Sequence, residues 1–288
     1  MGGMGRQALQ PERWEEDQDE CRPDAAPPHD GGAGHAVVEK GPIADVLPRL
    51  ALARRMPPAK AAEGGLPIGP DDVAAFALTI LERDADEAMA RIHALLDRGA
   101  TLETIFLNLL GPAARSLGEL WNDDVCDFTQ VTVGSWRLQQ LLRELSPSFT
   151  DPGEVPDPAR RALLVPAPGE QHTFGLFMVA EFFRRAGWEV RAGPFVSTEE
   201  MLDVLRHESF AVVGISASSH ARIEGVAATI RSIRKASRNR AVGVLVGGPP
   251  FVEQPELAKR LGADASAVDG RHAVLQAESL LALAARRA

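Results

Sequence analysis

From Pro70 to about Ser146, apolar residues recur every three or four positions; beyond Ala162 they come in short unbroken runs separated by helical stretches. The first spacing is that of amphipathic helices. Asp71 and Asp72 open a helix that runs to Arg83, with Val73, Phe76, Ala77 and Ile80 on one stripe. Ala85 to Arg98 repeats the pattern through Met89, Ile92, Leu95 and Leu96, and Gly99 follows as a stop. Leu102 to Trp121 makes a third helix behind Thr101, and Phe128 to Leu145 a fourth, with Val131, Val133, Trp136 and the Leu138, Leu141, Leu142 stripe. Four helices on short loops predict a bundle. The second region predicts strands at Ala162–Pro166, Trp188–Ala192, Ala211–Ser216, Val242–Val246 and Ala263–Val268. Helices at Phe174–Ala186, Thr198–His207, Ile223–Ser237, Gln254–Leu261 and from about Ala273 alternate with them. Strands that read as continuous apolar runs are buried on both faces. The expected fold class is α/β, a four-helix bundle followed by a doubly wound parallel five-stranded sheet, Rossmann- or flavodoxin-like.

Composition sets the domain limits. Residues 1–66 are rich in Pro, Gly and acid, with six carboxylates between Glu12 and Glu20, and are expected to be disordered. Within them Ile43 to Met56 has the makings of a short amphipathic helix, read either as part of a solvated tail or as a partner-docking segment. The bundle takes residues 67–147, a linker with Pro152, Pro156 and Pro158 takes 148–160, and the sheet domain takes 161–288. The net charge of -9 argues against a chain that grips nucleic acid with its own surface, so little or no direct DNA contact is expected. Cys21 and Cys126 build neither a disulfide framework nor a zinc knuckle. No signal-peptide pattern and no membrane-length apolar run is present, which leaves a cytoplasmic chain by elimination.

In sheets of this kind, ligands bind beyond the carboxyl ends of the strands. Three segments fall there: Gly169 to Gly175 after the first strand, Ser216-Ala217-Ser218 after the third, and Gly247-Gly248 after the fourth. His172 beside the acid Glu170 has the arrangement of a metal ligand whose far ring nitrogen is held by a carboxylate. Thr173 and Gly175 follow in the same loop, Gly175 where a bulky group lies near backbone. Ser216 and Ser218 offer hydroxyls, and Gly247 and Gly248 allow a close approach. Taken singly, these residues are read as a solvated loop histidine and ordinary turn chemistry.

Together they carry a family resemblance. Glu170-Gln171-His172-Thr173-Phe174-Gly175 resembles the Asp-x-His-x-x-Gly signature of cobalamin-binding domains, which continues with Ser-x-Leu and then Gly-Gly. Here 40 residues separate Gly175 from Ser216, and 28 separate Ser218 from Gly247, as in that signature. Glu170 replaces the Asp and holds the imidazole on a longer arm; Ser218 replaces the Leu and makes the pocket slightly more polar. The resemblance implies cobalamin bound with its own benzimidazole displaced, His172 as the lower axial ligand of cobalt, and Ser216, Gly247 and Gly248 lining the slot for the nucleotide tail. Leu117-Gly118-Glu119-Leu120-Trp121 looks like the bundle motif that places a Trp over the upper face of the corrin, the plainer reading of Trp121 being bundle core.

In the light-sensing CarH-type branch the bundle Trp is followed at ten and eleven positions by Glu-His; those positions here are Val131 and Thr132. A second imidazole from the bundle is therefore not implied, nor is light-driven tetramer assembly, and residues 1–65 show no helix-turn-helix pattern. The stretch Trp121 to Gly134, with Trp136-Arg-Leu-Gln-Gln140 and Gly-Glu-Gln-His-Thr-Phe-Gly, is similar instead to the AerR/PpaA antirepressors of photosynthetic bacteria, over about residues 70–280. That similarity implies a non-enzymatic, light-responsive regulator that takes hydroxo-, adenosyl- or methylcobalamin and binds a CrtJ/PpsR-type repressor of photosystem genes. Some relatives are described with haem, which His172 can also ligate. A corrinoid shuttle for a methyltransferase, needing the same two domains, and a plain interaction module are the alternatives. Of the other histidines, His93 and His207 are expected on exposed helix faces; His220 is read as a cap of the next helix or as a residue that approaches the corrin, and His272, at a helix start near the same rim, in the same two ways. Arg231, Arg234, Lys235, Arg238 and Arg240 read as a solvated helix end or a face for an acidic partner or DNA.

Overall fold

The computed structural model describes residues 67–149, 157–195 and 197–286. The expectations for residues 1–66, the helix at Ile43–Met56 among them, and most of those for the linker lie outside the described residues.

Helix α1 (Pro70–Glu82) starts where the Asp72 carboxylate accepts from the Gly69 N–H at 2.8 Å, and α2 (Ala85–Asp97) where Asp84 accepts from the Glu87 N–H. Helix α3 runs in three pieces, Leu102–Thr104, a π-helical stretch Ile105–Leu110, and Gly111–Asn122. The widening has a cause in the sequence. Pro112 has no N–H to give the Asn108 carbonyl and its ring crowds that oxygen, so the helix loosens one turn ahead and the Gly111 N–H reaches back five residues to Phe106. Helix α4 (Phe128–Phe149) passes straight through Pro147. The sequence pattern ends this helix at Leu145; the structure extends it because Phe149 packs 4.5 Å from the Phe106 ring and 5.0 Å from Phe182. The core these helices share is mainly aliphatic, with Ile80, Ile92, Ile105, Leu109, Leu110 and Leu141 wholly buried beside Phe76 and Phe106.

The sheet holds β1 (Arg161–Pro166), β2 (Glu189–Ala192), β3 (Val212–Ser216), β4 (Gly243–Gly247) and β5 (Ala265–Ala267), all parallel, in the order β2-β1-β3-β4-β5. This is the flavodoxin-like order, whose chain reversal falls between β1 and β3. Alternate residues of β1 serve opposite cores. Ala162 and Leu164 pack with Phe183, Trp188 and Ala277 under α5 (Phe174–Arg185) and α10 (Gly270–Ala285). Leu163 and Val165 pack with Leu205, Phe210 and Ile230 under α6 (Thr198–His207) and α7 (Val226–Ala236). The bundle seats on α5: Phe182 joins the bundle core, Arg185 lies 4.6 Å above the Phe149 ring, and Glu103 reaches Arg185 at 3.5 Å and Arg271 at 3.7 Å.

Several boundaries differ from the sequence reading. After β3 a 3-10 turn, His220–Arg222, precedes α7, which begins at Val226 rather than Ile223. A short helix α8 (Pro249–Glu253), started by two prolines that need no N–H partner in a first turn, follows the glycine pair and leaves α9 as Glu256–Leu261. Helix α10 begins at Gly270, not Ala273, because Asp269 accepts from the His272 N–H at 2.7 Å. Among the described residues no helix is long and apolar enough to cross a membrane.

Candidate cofactor-binding site

Sheet register decides where the site lies. Pro166 pairs with Ser216, and Ser216 with Gly247, so the three strands that carry the candidate segments end level on one rim. Two further bonds carry the pairing past the strand ends: Ala167 N–H to Ser216 C=O at 2.8 Å, and Ala217 N–H to Gly247 C=O at 3.0 Å.

Beyond β1 the chain turns at Pro168-Gly169, where the Glu170 N–H returns to the Ala167 carbonyl at 2.9 Å. Proline at the first corner and a glycine with φ of 72° at the second meet the demands of a type II turn. The turn drives Glu170 inward, so that its side chain is fully buried. A buried carboxylate has to be satisfied, and every oxygen of this one is. Oε1 accepts from the His172 N–H at 2.8 Å and faces the His172 ring Nδ1 at 2.7 Å; Oε2 accepts from the Ser218 N–H at 2.8 Å and the Ser218 hydroxyl at 2.5 Å. Burial pushes the Glu170 carboxyl up, but the Ser218 hydroxyl, the His172 and Ser218 amides and the His172 ring together outweigh it and hold it down to about 2. At neutral pH the group only accepts, so Nδ1 is the donor and the lone pair of the imidazole sits on Nε2. The His172 side chain is 79% exposed. A buried acid thus fixes the tautomer of an exposed base.

The remaining rim residues leave room above this ring. At Gly175 a Cβ would meet nothing within 4 Å, so the protein's own packing does not require the glycine and the space there is open. Thr173 is the residue before α5 and its side chain makes no cap bond. Ser216 and Gly247 are half-buried at the strand ends. Gly248 has φ of 114°, and a Cβ on it would fall 1.9 Å from the Ala217 carbonyl oxygen, so only glycine brings the end of β4 this close to the loop after β3. Ser218 was expected only to add polarity to the pocket; the structure makes it the main donor to Glu170 and sets its hydroxyl 3.3 Å from the His172 Nδ1. Among the described residues no three His, Cys, Asp or Glu side chains gather to hold a bare ion. One outward imidazole with open space above suits a metal that carries its equatorial ligands with it, as a corrin or porphyrin does.

The bundle residues divide. Trp121 is 44% exposed, which rules out the plain core reading, and it meets Phe128 edge-on at 6.1 Å. Val131, at the position of the CarH-type Glu, packs against the bundle core, because α4 turns that position inward; Thr132 is exposed with its hydroxyl on the Phe128 carbonyl. His93 and His207 are exposed as expected. His220 caps nothing: its Nε2 meets Glu253 at the end of α8 at 3.0 Å. His272 lies in the first turn of α10, near Gln276. In the arginine cluster, Arg234 is not a free cation but is tied to Asp264 at 2.9 Å and to the Gly262 carbonyl.

Comparison with known proteins agrees with this geometry. A B12 binding domain model matches residues 160–278, and a second B12 binding domain model matches residues 73–146. The chain is 30% identical over 163 residues to an uncharacterized 20.5 kDa protein of the bchF-crtJ intergenic region in Rhodobacter capsulatus, covering 57% of this chain and 84% of that protein. Among solved structures, the monomethylamine corrinoid protein of Methanosarcina barkeri superposes with a TM-score of 0.60 at 17% identity, covering 72% of this chain and 96% of its own, which bears on fold alone.

Proposed function

We propose, for a chain that belongs to the cobalamin-binding domain proteins of the AerR/PpaA type, that it senses the state of a bound cobalamin and regulates transcription without catalytic turnover. In this reading His172 would offer its Nε2 to the cobalt, Glu170 keeps the proton on Nδ1, and Ser218 keeps Glu170 ionised and in place. Ser216, Gly247 and Gly248 would border the nucleotide tail, and the exposed Trp121 would be the bundle residue that lies against the cofactor. When bound, cobalamin supplies a cobalt whose upper ligand is exchangeable and, where that ligand is an alkyl carbon, cleaved by light. The output is the binding of a CrtJ/PpsR-type repressor, in the cytoplasm. Its support is the relative whose own description places it in an intergenic region beside crtJ.

The observation that carries the reading is the 2.7 Å contact between buried Glu170 and the exposed His172 ring. Titration with hydroxocobalamin, followed by absorption, tests it. The wild-type chain is expected to give a protein-ligated cobalt spectrum, and His172→Ala to leave the spectrum of the free cofactor. Identical spectra for both proteins rule the ligand out. Pull-down of a repressor of this type, with and without cofactor, in darkness and after illumination, tests the output.

A second reading is a corrinoid shuttle, and the same bundle-plus-sheet fold in the M. barkeri corrinoid protein favours it. Methyl transfer to and from the bound cobalt with a partner enzyme, and no repressor binding, would establish that alternative. Haem, the other metal macrocycle that one imidazole suits, would declare itself by a Soret band in place of the corrinoid bands.

A further inference from the structure

We infer that Arg222 takes the anionic group at the cofactor's edge, the phosphodiester of the cobalamin nucleotide tail. The loop after β1 and the segment after β3 close on each other residue by residue. Pro168 lies against Gly225, with a ring atom 3.1 Å from where a Cβ on Gly225 would stand; Gly169 lies against Arg222, whose Nη1 is 3.0 Å from where a Cβ on Gly169 would stand; Glu170 receives Ser218 at 2.8 Å. Arg222 therefore sits in the row that also fixes the His172 ring, and it is half-buried there.

Its charge is not spent. Arg160, Arg161, Arg191, Arg206, Arg234 and Arg271 each reach a carboxylate. Among the described residues of the sheet domain, Arg231, Arg238, Arg240, Arg260 and Arg286 reach none and are exposed to water. Arg222 is half-buried and makes no ion pair with any described residue. The acid nearest along the row, Glu170, is no partner, because its two oxygens are filled by the amides and side chains of His172 and Ser218. An unpaired guanidinium partly desolvated on a ligand rim gains most from a planar or tetrahedral oxyanion. The edge of cobalamin carries neutral carboxamides, and its one anion is the phosphodiester of the tail. Haem offers the same chemistry through its propionates, so the two sources need separate arms in the test.

The inference rests on the cobalamin reading above, and the experiment separates the two. The full chain, Arg222→Gln and Arg222→Lys are each titrated with hydroxocobalamin, with diaquacobinamide, which lacks the nucleotide and its phosphate, and with hemin. Arg222→Gln is expected to weaken hydroxocobalamin about tenfold and cobinamide by less than about twofold, with Arg222→Lys between wild type and Gln for cobalamin. Equal losses for both corrinoids, or no loss for hydroxocobalamin, overturn the assignment while leaving the His172-dependent spectrum intact. A loss confined to hemin also overturns it. A wild-type chain that takes up neither corrinoid overturns both readings together.

Discussion

The two domains use the same aromatic residue in opposite ways. In the sheet domain Trp188 is 3% exposed, stands edge-on to Phe183 at 5.4 Å and donates its indole N–H to Glu278 at 2.8 Å. In the bundle Trp121 and Trp136 are 44% and 57% exposed, with Phe128 at 70%, while the interior beneath them is filled by leucine, isoleucine and the buried Phe76, Phe106 and Phe149. A buried indole with its N–H satisfied is a packing element. A cluster of half-exposed rings on an otherwise well-packed bundle marks a contact surface. Fold stability in this chain is thus drawn from the buried aromatics, and the exposed ones contribute little to it. The rim between strands and helices repeats the contrast within three residues, where Glu170 is buried and fully bonded and His172 is displayed.

Mutations can break or sharpen this contrast. The largest effect is expected at Trp188→Ala, a loss of about 4 kcal/mol of unfolding free energy by denaturant titration. Trp136→Ala in the same assay should cost less than about 1 kcal/mol, and a loss equal to that of Trp188 would erase the distinction. Gly248→Ala comes next. Its new Cβ clashes with the Ala217 carbonyl and needs a strained backbone, so a loss of about 3 kcal/mol is expected, together with loss of hydroxocobalamin uptake. Glu170→Ala strands the buried amides of His172 and Ser218 and should cost about 2 kcal/mol.

The pH arm of that last variant has a definite sign. The folded carboxyl titrates at about 2, below the ordinary 4.5, so its contribution is complete above about pH 4.5 and lost as pH falls toward 2. The stability difference between wild type and Glu170→Ala should therefore shrink across that window and be constant above it. A difference that grows as the solution is acidified would show that Glu170 is not held in its ionised form. The smallest effect is expected for Trp121→Ala, near neutral for stability, with its consequence confined to the spectrum or affinity of bound cobalamin.

Much of the architecture was legible in the residues. The five strands fall on the apolar runs because a parallel sheet covered on both faces leaves no polar alternation to confuse with a helix. Misplaced boundaries share a cause. At Phe149 a ring stack with Phe106 and Phe182 outweighs an internal proline, and at Pro249 two prolines begin a short helix ahead of the one expected at Gln254. Glu170, His172, Ser216 and the glycine pair stood out by spacing, whereas Ser218 read as a mere departure from a pattern. Its bond to Glu170 joins residues 48 apart and leaves no local trace. Arg222 escaped for the same reason, although the Pro168-Gly169 pair signalled the turn that brings it close.

By itself, the order of residues determined which stretches are helix and which are strand, that the sheet is parallel and buried, and that a histidine two places from an acid ends up on the ligand rim. Those outcomes follow from periodicity and turn chemistry, which act over a few residues. Tertiary structure alone decided that Glu170 is sealed by Ser218, that Arg222 keeps its charge free, and that Trp121 and Trp136 face outward while Trp188 does not. Each of these depends on which distant segments share a surface, and burial and hydrogen bonding assign a side chain its role only once those segments have met.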